Sequence, residues 1–194
     1  MKLNSFITAL IASFIFVNTG YASQTFEVDP SHASISFKIE HLVISKVKGD
    51  FREFSATLVL DDEGRLDEAS SDIEVASIDT GNTKRDDHLR SADFFDVNNF
   101  PIISFKSKSV NRSSGNNILV GDLTIHGVTK EVELPYKIKG PVKGPQGKTR
   151  IGFEASTVIN RKDYGLTWNM ALEAGGFVVG EELELLIDLE AIKM

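Results

Sequence analysis

Leu183 to Ala191 reads LELLIDLEA: Leu183, Leu185, Ile187, Leu189 and Ala191 take every second position, and acids fill most of the places between. A helix of period 3.6 would scatter these side chains around its circumference, whereas a strand sets them all on one face. The segment therefore predicts a strand with a dry face and a wet, largely acidic one. The same period recurs upstream. Ile35, Phe37 and Ile39 alternate with Ser34, Ser36, Lys38 and Glu40, and further runs centre on Leu58, Ile73, Phe105, Leu123, Leu134 and Phe153. Together they make about eight strands.

Short polar connections separate the runs. Residues 61–64 (DDEG), 113–116 (SSGN), 126–127 (HG) and the stretch 140–147 place glycine, asparagine or proline where hairpins need a tight bend. Consecutive strands joined this way pair antiparallel, and no long helical crossover is present to support a parallel sheet. Few other elements are left to cover the apolar face, so the sheet must close on itself or fold into a sandwich. The expected fold is all-β, an antiparallel eight-stranded barrel with one short helix. A barrel of that size is filled by side chains or holds one slender ligand.

The first 22 residues differ from the rest. MKLNSFITALIASFIFVNTGYA has Lys2, an apolar run from Phe6 to Val17 and small residues Gly20 and Ala22. That is the pattern of a secretory signal cleaved after Ala22, and the run is too short to anchor comfortably in a bilayer. Residues 23–194 then form one domain, exported to a periplasm, without stable membrane insertion. The chain carries a net charge of −7 and contains no cysteine. An acidic surface does not attract nucleic acid, and the lack of cysteine excludes disulfides, thiol catalysis and lipoprotein acylation.

One stretch breaks the alternation: DDHLRSADFFDV, from Asp86 to Val97. Thr83 followed by Asp86 resembles a capping box, so a short helix is expected from Lys84, with Arg90 one turn after Asp86 as its ion-pair partner. Phe94 and Phe95 are then placed to plug one end of a barrel, as a lid or rim. The histidines His32, His41, His88 and His126 fit no familiar metal-ligand spacing, and neither a nucleophile elbow nor a nucleotide-binding glycine loop is present. No catalytic residue, metal or cofactor is expected. NRKDYGLTW, residues 160–168, holds the sole tryptophan and admits two readings. It is a turn with Trp168 starting the next strand, or it sets Arg161 and Tyr164 at a barrel mouth to meet a polar head group.

Four stretches in order resemble the YceI-like family of exported polyisoprenoid-binding proteins: FEVDPSHASISFKIEHL followed by VKGDF, DDHLRSADFFDVNNFPIISF, GDLTIHGVTKEVELP and NRKDYGLTW. The resemblance implies a lipocalin-like antiparallel barrel of eight strands whose apolar interior holds an isoprenoid, such as a polyprenyl phosphate or a quinone, or a similar long-chain lipid. Carried onto this chain, it implies Phe37, Ile39, Leu58, Phe105, Leu123, Leu134, Phe153, Leu185 and Ile187 as wall residues, with His88, Arg90, Arg161 and Tyr164 at the mouth. The function expected is that of a periplasmic binding or carrier protein. The alternatives are an enzyme using His88 or His41 on a bound lipid, and a protective module with a solid barrel. Formation of a homodimer is left open.

Overall fold

The computed structural model describes residues 23–113, 115–144, 146–173 and 175–194; the expected signal segment lies outside them. The chain runs through β1 (Gln24–Val28), β2 (Ser34–His41), β3 (Ser45–Phe51), β4 (Phe54–Leu60), β5 (Leu66–Glu74), β6 (Ile78–Asp79), α1 (Thr83–Arg90), β7 (Ile102–Ser113), β8 (Asn116–Ile125), β9 (Val128–Lys143), β10 (Thr149–Asn160) and β11 (Val179–Lys193). Every pairing between these strands is antiparallel.

Three staves of the barrel are interrupted strands. β1 and β2 lie in line along one edge of β11, β3 and β4 follow beside them, and β5 and β6 come next. With β7 to β11 they make eight staves, and the barrel closes where β11 meets β1 and β2. The expected eight-stranded antiparallel barrel with one helix is the fold observed.

The three interruptions are adjacent and have local causes. Pro30 has no N–H to give the ladder, and Asp29 caps a 3-10 turn over Pro30–His32 by accepting the Ser31 N–H. Arg52 directs its N–H to the Ser77 carbonyl instead of a strand partner, and Val75–Ser77 forms another 3-10 turn. The wall bends along this line, which divides the barrel into a half built on β1, β4 and β5 and a half built on β2, β3 and β6.

An ion cluster clasps the seam between first and last strands. Arg150 on β10 reaches Asp29 Oδ2 at 3.0 Å and also bonds Glu190 on β11, while the Asp29 N–H donates to the Glu190 carbonyl. His32 Nδ1 stands 3.3 Å from Asp29 Oδ2. The Ser31 hydroxyl and then Arg150 hold the Asp29 carboxyl well below the usual carboxylate range. Asp29, His32 and Glu190 could geometrically surround a cation, but the Arg150 guanidinium already binds both carboxylates.

The turns follow the sequence closely with one exception. His126 and Gly127 both adopt positive φ, the conformation of a two-residue hairpin turn, and join β8 to β9. The 140–147 stretch, expected as a turn, is strand over its first half. β9 continues to Lys143, its register against β10 shifts between Arg150 and Gly152, and the turn falls between Lys143 and Thr149.

Two inward glycines are occupied by aromatic rings. A Cβ on Gly49 would lie 2.5 Å from Phe37 Cζ, and one on Gly121 would lie 2.5 Å from Phe105 Cζ. Each ring rests in the space that a neighbouring side chain would otherwise take.

The helix lies where expected, but its caps differ. Asn82, not Thr83, is the N-cap and accepts the Arg85 N–H; Asp86 is buried and accepts both the N–H and the hydroxyl of Thr80. Arg90 therefore pairs with Asp87 at 3.2 Å rather than with Asp86. The sequence spacing permitted either pair, and the demand of the Thr80 backbone decided between them.

Candidate ligand cavity

The half of the barrel under α1 is hollow. A cavity of about 220 Å³ lies there, walled by Phe37 and Ile39 of β2, Val47 and Phe51 of β3, Ile103 of β7, Ile125 of β8, Ile159 of β10, and Leu183 and Leu185 of β11. The helix and the segment after it cover it with His88, Leu89, Phe94 and Phe95. Their placement follows from the alternation: each strand residue belongs to the inward set of its stave.

An aromatic cluster fixes this cover. The His88 ring stands edge-on to Phe94 at 5.0 Å and to Trp168 at 4.9 Å, and Phe94 and Trp168 lie 5.1 Å apart. Contacts of this kind prefer the edge-to-face geometry seen here. His88 Nε2 stands 3.0 Å from Asp93 Oδ2, which holds the ring in place. Beside the rim residues His41 and Val178, the turn between β2 and β3 exposes Val43 and Ile44, at 66% and 85%.

Polar groups at the cavity come from Glu40, His41, Arg85 and His88 and from two residues of the 160–168 stretch, Arg161 and Tyr164. Asn160 accepts the Lys162 N–H to start a 3-10 turn over Arg161–Tyr164, and Gly165 ends it at φ 78°. Arg161 is 3% exposed and Tyr164 2%. Arg161 Nε donates to the Gly180 carbonyl at 2.7 Å and Nη1 to the Leu166 carbonyl, while Nη2 is buried without a partner among the described residues. Burial pulls the guanidinium below its ordinary pKa, with Glu181 opposing. Burial, and then Asp163, push the Tyr164 phenol up to about 12.

The other half of the barrel is nearly solid. A cavity of about 60 Å³ remains among Leu58, Phe105, Leu123, Leu134, Phe153, Ile187 and their neighbours. The two spaces are stacked levels of one interior: Ile35 and Phe37, Ile103 and Phe105, Leu123 and Ile125, and Leu185 and Ile187 each contribute one residue to each level.

A barrel with a hollow capped half and this order of motifs has known counterparts. The model of the YceI-like domain matches residues 26–191. This chain belongs to the YceI-like family. The UPF0312 protein SA2479 of Staphylococcus aureus is 38% identical over 165 residues, covering 82% of this chain and 92% of that protein. A YCEI protein of Campylobacter jejuni is 33% identical with a TM-score of 0.68, covering 81% of this chain and 91% of its own. A polyisoprenoid-binding domain from Saccharophagus degradans has the same fold at 14% identity, with a TM-score of 0.66 and coverage of 90% and 100%.

Within this YceI-like barrel, the residues expected as one site divide into three groups. Phe37, Ile39, Leu185, His88, Arg161 and Tyr164 line the large cavity. Leu58, Phe105, Leu123, Leu134, Phe153 and Ile187 line the small one instead, because they stand on the far level of the same inward rows. Arg90 lines neither. Its Nε and Nη2 donate to the Ala76 and Ile78 carbonyls at 2.8 and 2.7 Å, so it ties the helix to the bent wall rather than standing at a mouth. Arg161 and Tyr164 also depart from the mouth position expected of them, being buried within the wall.

Trp168 begins no strand; β11 starts eleven residues later, at Val179, and the ring covers the cavity from an irregular segment. Phe51, Val47 and Arg85 also line the cavity and were not expected there. The first two alternate with Gly49 in VKGDF, where a glycine conceals the inward row. Arg85 could not have been found by spacing, since it is held by Thr80, to whose hydroxyl and carbonyl it donates at 2.7 and 2.8 Å.

Proposed function

We propose that this protein is an exported, periplasmic carrier that holds an isoprenoid or a similar long-chain amphiphile in the hollow half of its barrel and performs no catalysis on it. The observation that carries this reading is the apolar cavity of about 220 Å³, covered by α1 and the His88–Phe94–Trp168 cluster. The Saccharophagus degradans domain of the same fold, which binds polyisoprenoid, supports the choice of ligand class. The signal-like segment 1–22 supports export.

Apolar burial is sufficient for the affinity required. Each CH₂ removed from water contributes roughly 0.8 kcal/mol, so three isoprene units contribute roughly 12 kcal/mol, and after an association cost of about 4 kcal/mol the ~8 kcal/mol of micromolar binding is left. The cavity is smaller than the roughly 300–1,000 Å³ of most ligand pockets. A long chain therefore fills it with part of its length, and the remainder leaves by the rim or enters the far level when Phe37 and Phe105 rotate.

Mass spectrometry of an organic extract of the natively purified protein tests the reading. A polyprenyl or comparable long-chain species is expected; a clean blank from protein never exposed to detergent would overturn it in favour of a protective module. The enzymatic alternative makes a different demand. In a carrier the bound ligand is recovered unconverted from wild type and from His41→Gln and His88→Gln alike, with affinity changed only through packing, whereas in an enzyme these variants lose a turnover that wild type shows.

A further inference from the structure

The interior holds one polar group that the fold leaves unspent. A guanidinium has five N–H donors. In Arg161, Nε and Nη1 are taken by the Gly180 and Leu166 carbonyls, and Nη2 is buried with no acceptor among the described residues. Nor does any described carboxylate form an ion pair with it. Glu181, which acts on it electrostatically, is bonded to Lys162.

A buried cation without a counter-charge, with one nitrogen unpaired, costs far more than an apolar residue in the same place. Buried polar groups in native proteins are nearly always satisfied, so an orphan of this kind needs an acceptor from outside the chain. The side chain lines the large cavity beside Tyr164, Leu166, Val179 and Leu183, so a molecule in the cavity can supply that acceptor. The carbonyls of Gly180 and Leu166 fix the guanidinium in advance, and a donor already oriented loses little freedom when the acceptor arrives.

We propose that Arg161 Nη2 anchors the polar terminus of the bound amphiphile, through an oxygen acceptor that is either a carbonyl or an anionic oxygen, inside the barrel rather than at its mouth. The inference rests on the carrier reading and assigns the head-group chemistry of that same cavity. The ligand's oxygen end lies against residues 161–166, and its hydrocarbon runs along Ile39, Leu183 and Leu185. Hydrogen bonds to a charged donor are worth more than neutral ones, so an anionic terminus binds more tightly than a neutral carbonyl, and both bind more tightly than a hydrocarbon.

Titration of the delipidated full barrel by Trp168 fluorescence tests this with three probes of the same carbon count: farnesoate, farnesal and farnesane. The wild-type protein is expected to favour each oxygen-bearing probe over the hydrocarbon by about tenfold or more. Arg161→Met, checked for folding by circular dichroism, is expected to bind farnesane at least as well and to lose the preference. Equal affinity of wild type for all three probes would overturn the anchor while leaving the carrier intact, and needs no variant. A preference that survives in Arg161→Met would overturn it as well. If no probe binds wild type, the carrier reading itself fails and the anchor with it.

Discussion

The two halves of this barrel share the long strands β7 to β11 and the same alternation, yet one is nearly solid and the other hollow. In the solid half Phe26, Leu58, Leu60, Leu66, Leu119 and Ile151 are almost wholly buried, and Tyr136 stacks on Phe153 at 5.7 Å. In the hollow half, beyond the interruptions in the first three staves, α1 and its aromatic cluster cover the interior in place of side chains from a continuing sheet. The difference separates two uses of apolar surface. One end is packed against itself and supplies stability; the other is left with free surface, which a ligand can cover.

The largest break in that comparison comes from the solid half. Phe26→Ala should cost about 3–5 kcal/mol, because nothing can collapse into the space at the seam. Leu185→Ala, which faces a space that already exists, should cost under about 2 kcal/mol and instead change ligand affinity. Urea denaturation of both variants measures the contrast, and equal losses would mean that the cavity closes in solution.

The paired glycines sharpen the comparison at a smaller scale. At Gly121 a new Cβ would meet the Lys106 backbone carbonyl at 2.6 Å as well as Phe105, and backbone cannot step aside. Gly121→Ala should therefore lose about 1–3 kcal/mol. At Gly49 the obstacles are side-chain atoms of Phe37 and Thr80. Gly49→Ala should turn the Phe37 ring into the large cavity, leaving stability within about 1 kcal/mol of wild type. Its effect appears as weakened quenching of Trp168 by added isoprenoid.

The seam and the buried phenol give two pH-dependent tests. The Asp29 carboxyl titrates below its ordinary 3.8, so its contribution to stability is present above that pH and is lost as pH falls through the lowered native value. Asp29→Asn should melt below wild type at neutral pH, with the gap narrowing in acid. Tyr164 titrates in the opposite direction. Its contribution is complete below its ordinary value of 10.0 and is lost as pH rises through about 12. Tyrosinate absorbance should show this late transition, and Tyr164→Phe should reduce it to that of Tyr136, whose phenol burial also raises, with little change in stability at neutral pH. It is the smallest effect of the set.

Much of the fold was legible because a strand writes its two faces directly into the order of residues. The runs around Phe37, Leu58, Leu123, Phe153 and Leu185 each became a strand, and the helix came where the alternation stopped. The site was only partly legible. Phe37 and Phe105 carry the same inward signal, yet they stand at different levels of the interior. Arg90 and Arg161 are equally plausible rim cations in the sequence, yet one grips the backbone of the bent wall and the other is sealed inside it.

The sequence by itself determined the antiparallel barrel, its family and the set of side chains that face inward, since period and turn chemistry are local properties of the chain. Tertiary structure decided which inward residues border a space and which fill one, because that depends on register, on the bend between the two halves and on which rings meet across the barrel. It also decided the state of Arg161. The carbonyls that satisfy part of its guanidinium come from Leu166 and Gly180, and only the closed fold brings them to one place and leaves Nη2 without an acceptor.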